Sequence, residues 1–500
     1  MIRLLLLCAF LCVPGVARAE WHRAESPHFI IQAELPEGAL RKMADELETI
    51  DALMRMLSGP LRANRAKATI LVVPDIAVAG SLTGIPGFTG GITMDGDMGE
   101  IIIVSGDAAQ KLDVRRSLFH EYGHSFMARF LGNAMPGWFV EGFATYFQTA
   151  RVIGANRVRF GAIPDETFFT LKGAGVPFAD IMSMAAERTD GPPPAKLYAQ
   201  GWLMTHNLLS GGSRANEIRN YIRAVSAGEP VTQADSFFAG GVAAFDKDMT
   251  AYLNALPPPR NETVPPVDLS AVTVRAMRPG EARFFNRRLQ DVAVEREGRG
   301  NRAVRTRSAG IRYQYARTLL AEFPDEPELG FYAARLALAY GECTAADTLA
   351  ETLLAADPGN PTLMAFKSQT LVCVARELPR GAMPLITRSR ELVTRAAAID
   401  PDNPAVAMAM FRNYSADQGA TPATRRYLDR AVQLNPRDTD LLNTALEFAL
   451  RNEDIAYAIR LLTPIANSPH DNESRKWAIH VIAELRKRRA PPAPVRRRRR

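Results

Sequence analysis

Two kinds of apolar pattern alternate in the first hundred residues of the chain. Between residues 37 and 57 apolar side chains recur every three or four positions, which predicts an amphipathic helix. Shorter apolar runs at residues 27–32, 68–74 and 100–105 predict three β-strands. A glycine-rich segment at residues 84–99 predicts a loop or an irregular hairpin before the third strand. This order indicates a small sheet with a covering helix.

The second half of the chain consists of apolar helical segments separated by a recurring turn of the type Asp-Pro-x-Asn-Pro. The first prolines of these turns are Pro324, Pro358, Pro401, Pro436 and Pro469. They lie 34, 43, 35 and 33 residues apart, and the long second step predicts an insertion near residues 378–385. In period and turn type, residues 311–485 resemble tetratricopeptide repeats, which bind peptides or proteins on a curved surface. A plain helical region without a partner is the alternative.

Between these halves lies the motif His120-Glu121-Tyr122-Gly123-His124. Residues four positions apart share one face of a helix, so His120 and His124 can reach one metal ion. Glu121 projects beside that face and is placed to take a proton from a water molecule. Two unrelated histidines on a helix surface are the alternative. The helical pattern ends near Gly132, and a second apolar helix begins at Trp138.

Glu141 in this second helix is the only charged residue between Arg129 and Arg151. A carboxylate in such an apolar helix needs a partner, because burying it alone is costly. A metal ion held by His120 and His124 would be that partner. Two histidines and one glutamate, with a fourth position open, form the ligand set of a catalytic rather than a structural zinc site.

The H-E-x-x-H motif followed by a Trp-x-x-Glu-Gly-x-Ala helix resembles the gluzincin peptidases, and most closely their small bacterial peptidase MA-like domains. The resemblance covers roughly residues 20–255. It implies Zn²⁺ as the cofactor, His120, His124 and Glu141 as metal ligands, and Glu121 as the general base. In gluzincins the strand before the zinc helix is an exposed edge to which a peptide substrate adds. The resemblance gives residues 100–105 that role, and an ordinary core strand is the alternative.

Gluzincins also use a downstream tyrosine or histidine to stabilise the oxyanion. The segment that begins Leu197-Tyr198 resembles the one that carries this residue, which makes Tyr198 the first catalytic candidate and His206 the second. A buried structural role is open for both. The chain departs from thermolysin-like enzymes at Thr145, where they place an aspartate that orients a zinc histidine. Support for that histidine must therefore come from elsewhere or be weaker.

The first 19 residues have the pattern of a signal peptide, with a positive start, a short apolar run and an Ala17-Arg18-Ala19 cleavage site. We therefore expect an exported protein, periplasmic or extracellular, whose mature chain begins at Glu20. An uncleaved anchor is the alternative. Two cysteines, Cys343 and Cys373, remain after cleavage. They allow either one disulfide or two buried thiols.

The formal net charge is +7, but nine Lys and Arg residues lie after residue 485. Because the basic charge is concentrated in this tail, a nucleic-acid partner is not implied. The tail, residues 486–500, is rich in Pro and Arg and is expected to be disordered. It either contacts anionic envelope surfaces weakly or is simply solvated. Proline clusters after residue 256 predict a Pro- and Arg-rich linker at residues 257–310, with a local strand near residues 271–275.

The sequence thus predicts an α+β fold: a small mixed sheet and a helical zincin-type domain at residues 20–256, followed by an all-α tetratricopeptide-like solenoid. The expected function is an exported zinc metallopeptidase that hydrolyses peptide bonds, with repeats that dock a protein substrate or partner. An envelope interaction scaffold with an idle zinc domain is the alternative. A zinc hydrolase of non-protein envelope amides would use the same site.

Overall fold

The computed structural model describes residues 20–489, apart from residues 62–65, 74, 84–89, 97–98, 106–113, 133, 174–176, 185–194, 230, 298–301, 416–420, 436–437 and 470–472. The predicted signal peptide and the end of the basic tail lie outside these residues, so both remain predictions. Within the described ranges, none of the helices has the length and hydrophobicity that crossing a membrane requires.

The described strands form two sheets, which both belong to the first part of the chain. The strands are β1 (His22–Glu25), β2 (Phe29–Ala33), β3 (Ala68–Val73), β4 (Gly91–Gly96), β5 (Gly99–Ser105), β6 (Arg151–Gly154), β7 (Arg157–Phe160), β8 (Arg260–Thr263) and β9 (Thr273–Ala276). The larger sheet has the order β4-β5-β3-β2-β1-β9, and the smaller one has the order β6-β7-β8. In the larger sheet β2, β3 and β5 run parallel, and the other pairings are antiparallel.

Among the described residues, nine helices accompany these sheets up to residue 254. They are α1 (Glu37–Ser58), α2 (Ile76–Thr83), α3 (Val114–Phe126), α4 (Gly137–Phe147), α5 (Asp165–Lys172), α6 (Phe178–Met184), α7 (Ala195–Leu209), α8 (Ala215–Ser226) and α9 (Gly241–Asn254). A π-helical turn, Met127–Leu131, extends α3, and two 3₁₀ turns lie at Val231–Phe237 and Leu269–Ala271.

Eleven further helices follow β9 in the described part of the chain. They are α10 (Pro279–Glu297), α11 (Arg302–Glu322), α12 (Pro327–Tyr340), α13 (Cys343–Ala356), α14 (Pro361–Glu377), α15 (Met383–Ile399), α16 (Pro404–Tyr414), α17 (Arg425–Leu434), α18 (Thr439–Arg451), α19 (Ile455–Ala466) and α20 (Glu473–Arg489). The mixed sheet and the helical repeat predicted from the sequence are therefore both present.

Successive side chains of a strand point to opposite faces of the sheet. In the central strands of the larger sheet the side chains on both faces are buried. Ile102 and Val104 of β5 belong to the main core, which also contains residues of α1 and α3. Ile101 and Ile103 face the other way and pack with Phe285 of α10. Helix α3, which carries the H-E-x-x-H motif, and helix α10 therefore cover opposite faces of one sheet.

The predicted role of residues 100–105 as an exposed edge strand is wrong. Strand β5 lies between β3 and β4, and β4 occupies the end of the sheet. The glycine-rich segment was expected to form a loop or an irregular hairpin, and its part at Gly91–Gly96 pairs regularly with β5. Glycine has low strand propensity, so the glycine-rich composition of β4 did not indicate that this segment forms the edge strand.

The predicted linker at residues 257–310 also differs from the structure, although the local strand expected near residues 271–275 is present as β9. Within it, β8 pairs with β7, β9 pairs with β1, and α10 packs on the larger sheet. Arg23 of β1 lies opposite Arg275 of β9, so the pairing partner is about 250 residues away in the chain. Local composition rich in Pro and Arg gives no indication of such a distant partner. The described helix α20 likewise includes residues 486–489 of the predicted disordered tail.

The repeated turns act as helix starts. In two of them the asparagine caps the next helix and the proline is its first residue: the Asn360 side chain accepts from Thr362 N, and the Asn403 side chain accepts from Ala405 N. Both are favoured positions for these residue types. Cys343 of α13 and Cys373 of α14 form a disulfide, which decides between the two alternatives above. The turns near residues 436 and 470 lie partly outside the described residues.

The long second step is not a single insertion. Helices α14 and α15 have 17 residues each, whereas α12 and α13 have 14 each. The connection between α14 and α15, residues 378–382, is also longer than the connection between α12 and α13, residues 341–342. The extra length is therefore shared between both helices and their loop.

Candidate metal centre

Helix α3 carries His120 and His124 on one face. The opposite face packs into the core and so determines which way the histidines point. Leu118, Phe119 and Tyr122 are buried in the main core. The two histidines are only partly exposed, with 15% and 16% of their side-chain surface accessible. The apolar face thus orients the imidazoles toward Glu141 of α4.

Helix α4 brings Glu141 to the same point. Gly123 of α3 makes the close approach possible, because a Cβ atom there would lie 3.0 Å from the Cα atom of Ala144. Glu141 is fully buried. Its Oε2 atom lies 3.5 Å from His120 Nε2 and 3.6 Å from His124 Nε2, and the two Nε2 atoms lie 3.2 Å apart. The structure therefore brings together all three predicted ligands.

These distances fit one small cation. Tetrahedral zinc binds nitrogen and oxygen at about 2.0–2.1 Å, which separates neighbouring ligand atoms by about 3.3–3.4 Å. The three donor–donor distances, 3.2–3.6 Å, bracket that value. Two imidazole nitrogens and one carboxylate oxygen are also a donor set that suits zinc. The residues present therefore fit the ion that the resemblance implies.

Gln148, which the sequence analysis did not single out, supports His120. His120 Nδ1 lies 3.1 Å from Gln148 Oε1, and Gln148 Nε2 donates to Glu166 Oε1 at 3.2 Å. A carboxylate only accepts, so the amide nitrogen must face Glu166 and the amide oxygen must face the imidazole. The proton of His120 is thereby held on Nδ1, which leaves Nε2 free to bind a metal.

Thr145, at the position of the aspartate in thermolysin-like enzymes, does not replace it. Its hydroxyl is buried and has no hydrogen-bond partner within the described part of the chain. Gln148 lies seven residues after Glu141, two helical turns along the same face, and this spacing could have revealed it from the sequence.

Glu121 lies beside the edge strand β4. The Thr93 hydroxyl lies 3.0 Å from Glu121 Oε2 and 2.9 Å from the backbone oxygen of Glu121. A Cβ atom at Gly91 would lie 2.5 Å from Glu121 Cγ, so the strand passes in direct contact with this side chain. Thr93 lies in the glycine-rich segment, where no sequence pattern indicated its role.

The charges of the centre favour its protonated form. Burial raises the pKa of the Glu121 carboxyl, and the negative charge of Glu141 adds to this against the opposing effects of His120 and Thr93. Burial lowers the pKa of His120, but the hydrogen bond to Glu141 and the charges of Glu121 and Glu141 outweigh it and raise that pKa overall. A cation bound here would displace these protons, so its affinity would fall at acidic pH.

Tyr198 of α7 lies at the centre. Its ring stacks on His120 with centroids 6.1 Å apart. Burial raises the pKa of the Tyr198 hydroxyl, and the charge of Glu141 and a hydrogen bond to it raise that pKa further. The group is therefore a neutral hydrogen-bond donor at physiological pH.

His206, the second candidate, also lies in α7, but it is buried in the core. Its Nδ1 atom lies 2.9 Å from the Tyr252 hydroxyl, and its ring packs against Trp202 and Tyr146. Burial lowers the pKa of His206 to about 4. Among the described residues, none of the contacts of His206 reaches the three ligand side chains. The structure therefore brings Tyr198, but not His206, to the three candidate ligands.

A second group, His28, Glu48 and Asp51, also lies close enough together to hold a cation. Its oxygens are already engaged, however. His28 Nδ1 lies 2.7 Å from Glu48 Oε2 and its backbone N–H donates to Glu48 Oε1 at 2.8 Å, while Arg55 and the Tyr122 hydroxyl donate to Asp51. Tyr122 lies between His120 and His124 in the sequence, so its hydrogen bond to Asp51 joins this network to helix α3.

Comparisons with known proteins add little to this geometry. No protein-family model matches the chain, and no curated protein matches it. Among solved structures, a thermophilic TPR protein of Thermus thermophilus matches with a TM-score of 0.30 and 18% sequence identity. The match covers 35% of this chain and 91% of that one. A similarity this low carries no argument about function, so the repeats are described from their own helices.

Proposed function

We propose that the chain is an exported zinc metallopeptidase of the gluzincin type whose repeats dock a protein substrate or partner. The observation that carries the proposal is the convergence of the His120, His124 and Glu141 donor atoms within 3.2–3.6 Å of one another. When bound there, zinc supplies a Lewis acid that polarises a carbonyl and makes a water molecule more acidic.

The residues around the ligands supply the remaining functions. Glu121 accepts a proton from the attacking water and delivers it to the leaving amine. Thr93 holds that carboxylate in place. Tyr198 donates a hydrogen bond to the oxyanion that forms from the scissile carbonyl. Gln148 keeps the proton of His120 on Nδ1.

The edge strand β4 gives the substrate a place to bind. Within the described residues, β4 pairs with β5 and its other edge carries no strand. An extended peptide that adds to this edge would pass the side chain of Glu121, because Gly91 is in contact with it. The role that the resemblance gave to residues 100–105 therefore moves to Gly91–Gly96.

Zinc content and hydrolysis of a mixed peptide library test the proposal. We expect about one zinc ion per chain in both wild type and Glu121→Gln, and hydrolysis by the wild type alone. Glu46→Gln is the matched control, because Glu46 pairs with Arg115 of the same helix α3 but lies outside the centre. This control should retain hydrolysis. Absence of zinc from the wild type would refute the proposal.

The repeats favour a second candidate, an interaction scaffold with a catalytically idle zinc domain. Helices α11 to α20 form a tetratricopeptide-like array, an architecture that presents extended surfaces to protein partners. Zinc bound by wild type and Glu121→Gln alike, with no cleavage by either, would support this candidate. Cleavage of peptidoglycan-type amides but not of peptides would instead indicate a hydrolase of non-protein amides.

A further inference from the structure

The last helical hairpin, α19 and α20, lies against the loop that joins the two ligand-bearing helices. Asn467, directly after α19, donates from Nδ2 to the backbone oxygen of Ala134 at 2.8 Å. A Cβ atom at Gly137 would lie 3.0 Å from Pro469 Cα and 3.2 Å from the backbone oxygen of Asn467. Backbone from residues near the end of the repeats therefore packs directly on the first residue of α4.

A second contact fixes the same hairpin to the neighbouring turn after α8. The Arg486 guanidinium donates to the backbone oxygen of Gly228, and burial lowers the pKa of Arg486. A Cβ atom at Gly228 would lie 3.1 Å from Ile459 Cγ2. The last residue of α8 also reaches the interhelical loop, because the Ser226 hydroxyl lies 3.3 Å from Met135 Sδ. The hairpin thus contacts the loop directly through Asn467 and indirectly through the end of α8 and the turn that follows it.

The opposite end of the repeat region is fixed as well. Arg23 of β1 pairs with Glu328 of α12 at 2.6 Å, and Arg278 pairs with Glu326 at the start of the same helix. Phe285 of α10 packs on the larger sheet. Both ends of the array therefore contact the α+β part of the chain.

The position of the loop between α3 and α4 affects where Glu141 lies relative to His120 and His124. Glu141 lies one helical turn inside α4, and the N-terminal residue of α4 is in contact with Pro469. The capping residue of α4, Pro136, makes no side-chain cap hydrogen bond. The start of α4 therefore depends on its neighbours for its position, and any shift of it moves the Glu141 carboxylate relative to the two histidines.

We propose that Asn467 and the α19–α20 hairpin are positioning elements of the metal centre, which hold α4 at the distance from α3 that three ligands on one ion require. This inference rests on the proposed function, because it assumes that the three side chains bind zinc. Metal sites tolerate displacements of only a few tenths of an ångström. Loss of the hairpin contacts should therefore weaken zinc binding although no ligand changes.

The test measures zinc affinity by competition with a chromogenic chelator and the backbone hydrogen exchange of residues 137–142 in zinc-free protein. Asn467→Ala removes the hydrogen bond, and Gly137→Ala introduces a Cβ against Pro469 while favouring the helix locally. The matched control is Asn452→Ala, because Asn452 Nδ2 donates to Phe448 O at 2.8 Å within its own repeat. All variants are compared at a temperature where circular dichroism shows them fully folded.

We expect Asn467→Ala and Gly137→Ala to bind zinc about tenfold more weakly and to exchange faster at residues 137–142. Asn452→Ala should match the wild type in both measurements. A wild type that binds zinc, with unchanged affinity in both variants, overturns the inference alone. A wild type that binds no zinc overturns the proposed function and this inference with it.

Discussion

The hydrogen bond between His120 and Gln148 gives a prediction with a magnitude that follows from the structure. Gln148 is buried, and its Oε1 atom lies 3.1 Å from His120 Nδ1. Gln148→Leu keeps the size and helical preference of the side chain but removes the acceptor. The Nδ1 proton is then left without a partner in a buried site, which costs about 1–3 kcal/mol.

This cost should appear as weaker zinc binding. A tenfold change in affinity corresponds to about 1.4 kcal/mol, and loss of a hydrogen bond to a zinc-bound histidine typically weakens binding about 10–100-fold. We therefore expect Gln148→Leu to bind zinc about 5- to 100-fold more weakly, measured by chelator competition at neutral pH.

The matched control lies one turn earlier on the same helix. Thr145 has a buried hydroxyl without a hydrogen-bond partner in the described part of the chain. Thr145→Val should leave zinc affinity unchanged and should not lower stability, because it removes an unsatisfied group. Wild-type affinity in Gln148→Leu, or equal weakening in both variants, would show that Gln148 does not support the ligand.

Four further outcomes follow from the structure. Tyr198→Phe should lower kcat with little change in zinc affinity, because the proposed function makes its hydroxyl the donor to the oxyanion; equal kcat would remove it from the reaction. His206→Gln should leave zinc affinity unchanged and reduce thermal stability, since this buried ring contacts the core; weaker zinc binding would contradict its placement. Glu48 is buried, which opposes its ionisation, but hydrogen bonds from His28 and a serine outweigh burial and lower its pKa. Its contribution to stability is therefore full above its unfolded pKa of about 4.3 and is lost as pH falls through the lower folded value, so denaturant unfolding of Glu48→Gln should show a smaller loss at acidic pH than the wild type. Cys373→Ser opens a 30-residue loop and should destabilise the repeats by about 3–4 kcal/mol in denaturant unfolding, whereas an unchanged midpoint would exclude a stabilising disulfide.

Local patterns predicted the elements around the centre well. The amphipathic helix expected at residues 37–57 is α1, the apolar run at residues 68–74 contains β3, and the H-E-x-x-H helix is α3. These elements were predictable because their periodicity reflects a single buried face. The placement of Glu141 also followed from its chemistry, since a carboxylate in an apolar helix requires a partner.

The sequence could not predict features that depend on distant partners. The apolar sequence of β5 is compatible with an edge position and with an interior position in a sheet. Its interior position follows only from its pairing with the glycine-rich β4. The strand expected at residues 271–275 overlaps β9, but its own sequence gives no indication that β9 pairs with β1. The attachment of Asn467 to Ala134 joins residues 333 positions apart, and no local pattern encodes it.

Anomalous X-ray diffraction at the zinc absorption edge, on crystals of the zinc-loaded protein, tests the central claim most directly. The account predicts one strong peak within about 2.0–2.2 Å of His120 Nε2, His124 Nε2 and a Glu141 carboxylate oxygen. A peak at His28, Glu48 and Asp51 instead, or no zinc peak at His120 and His124, would contradict it.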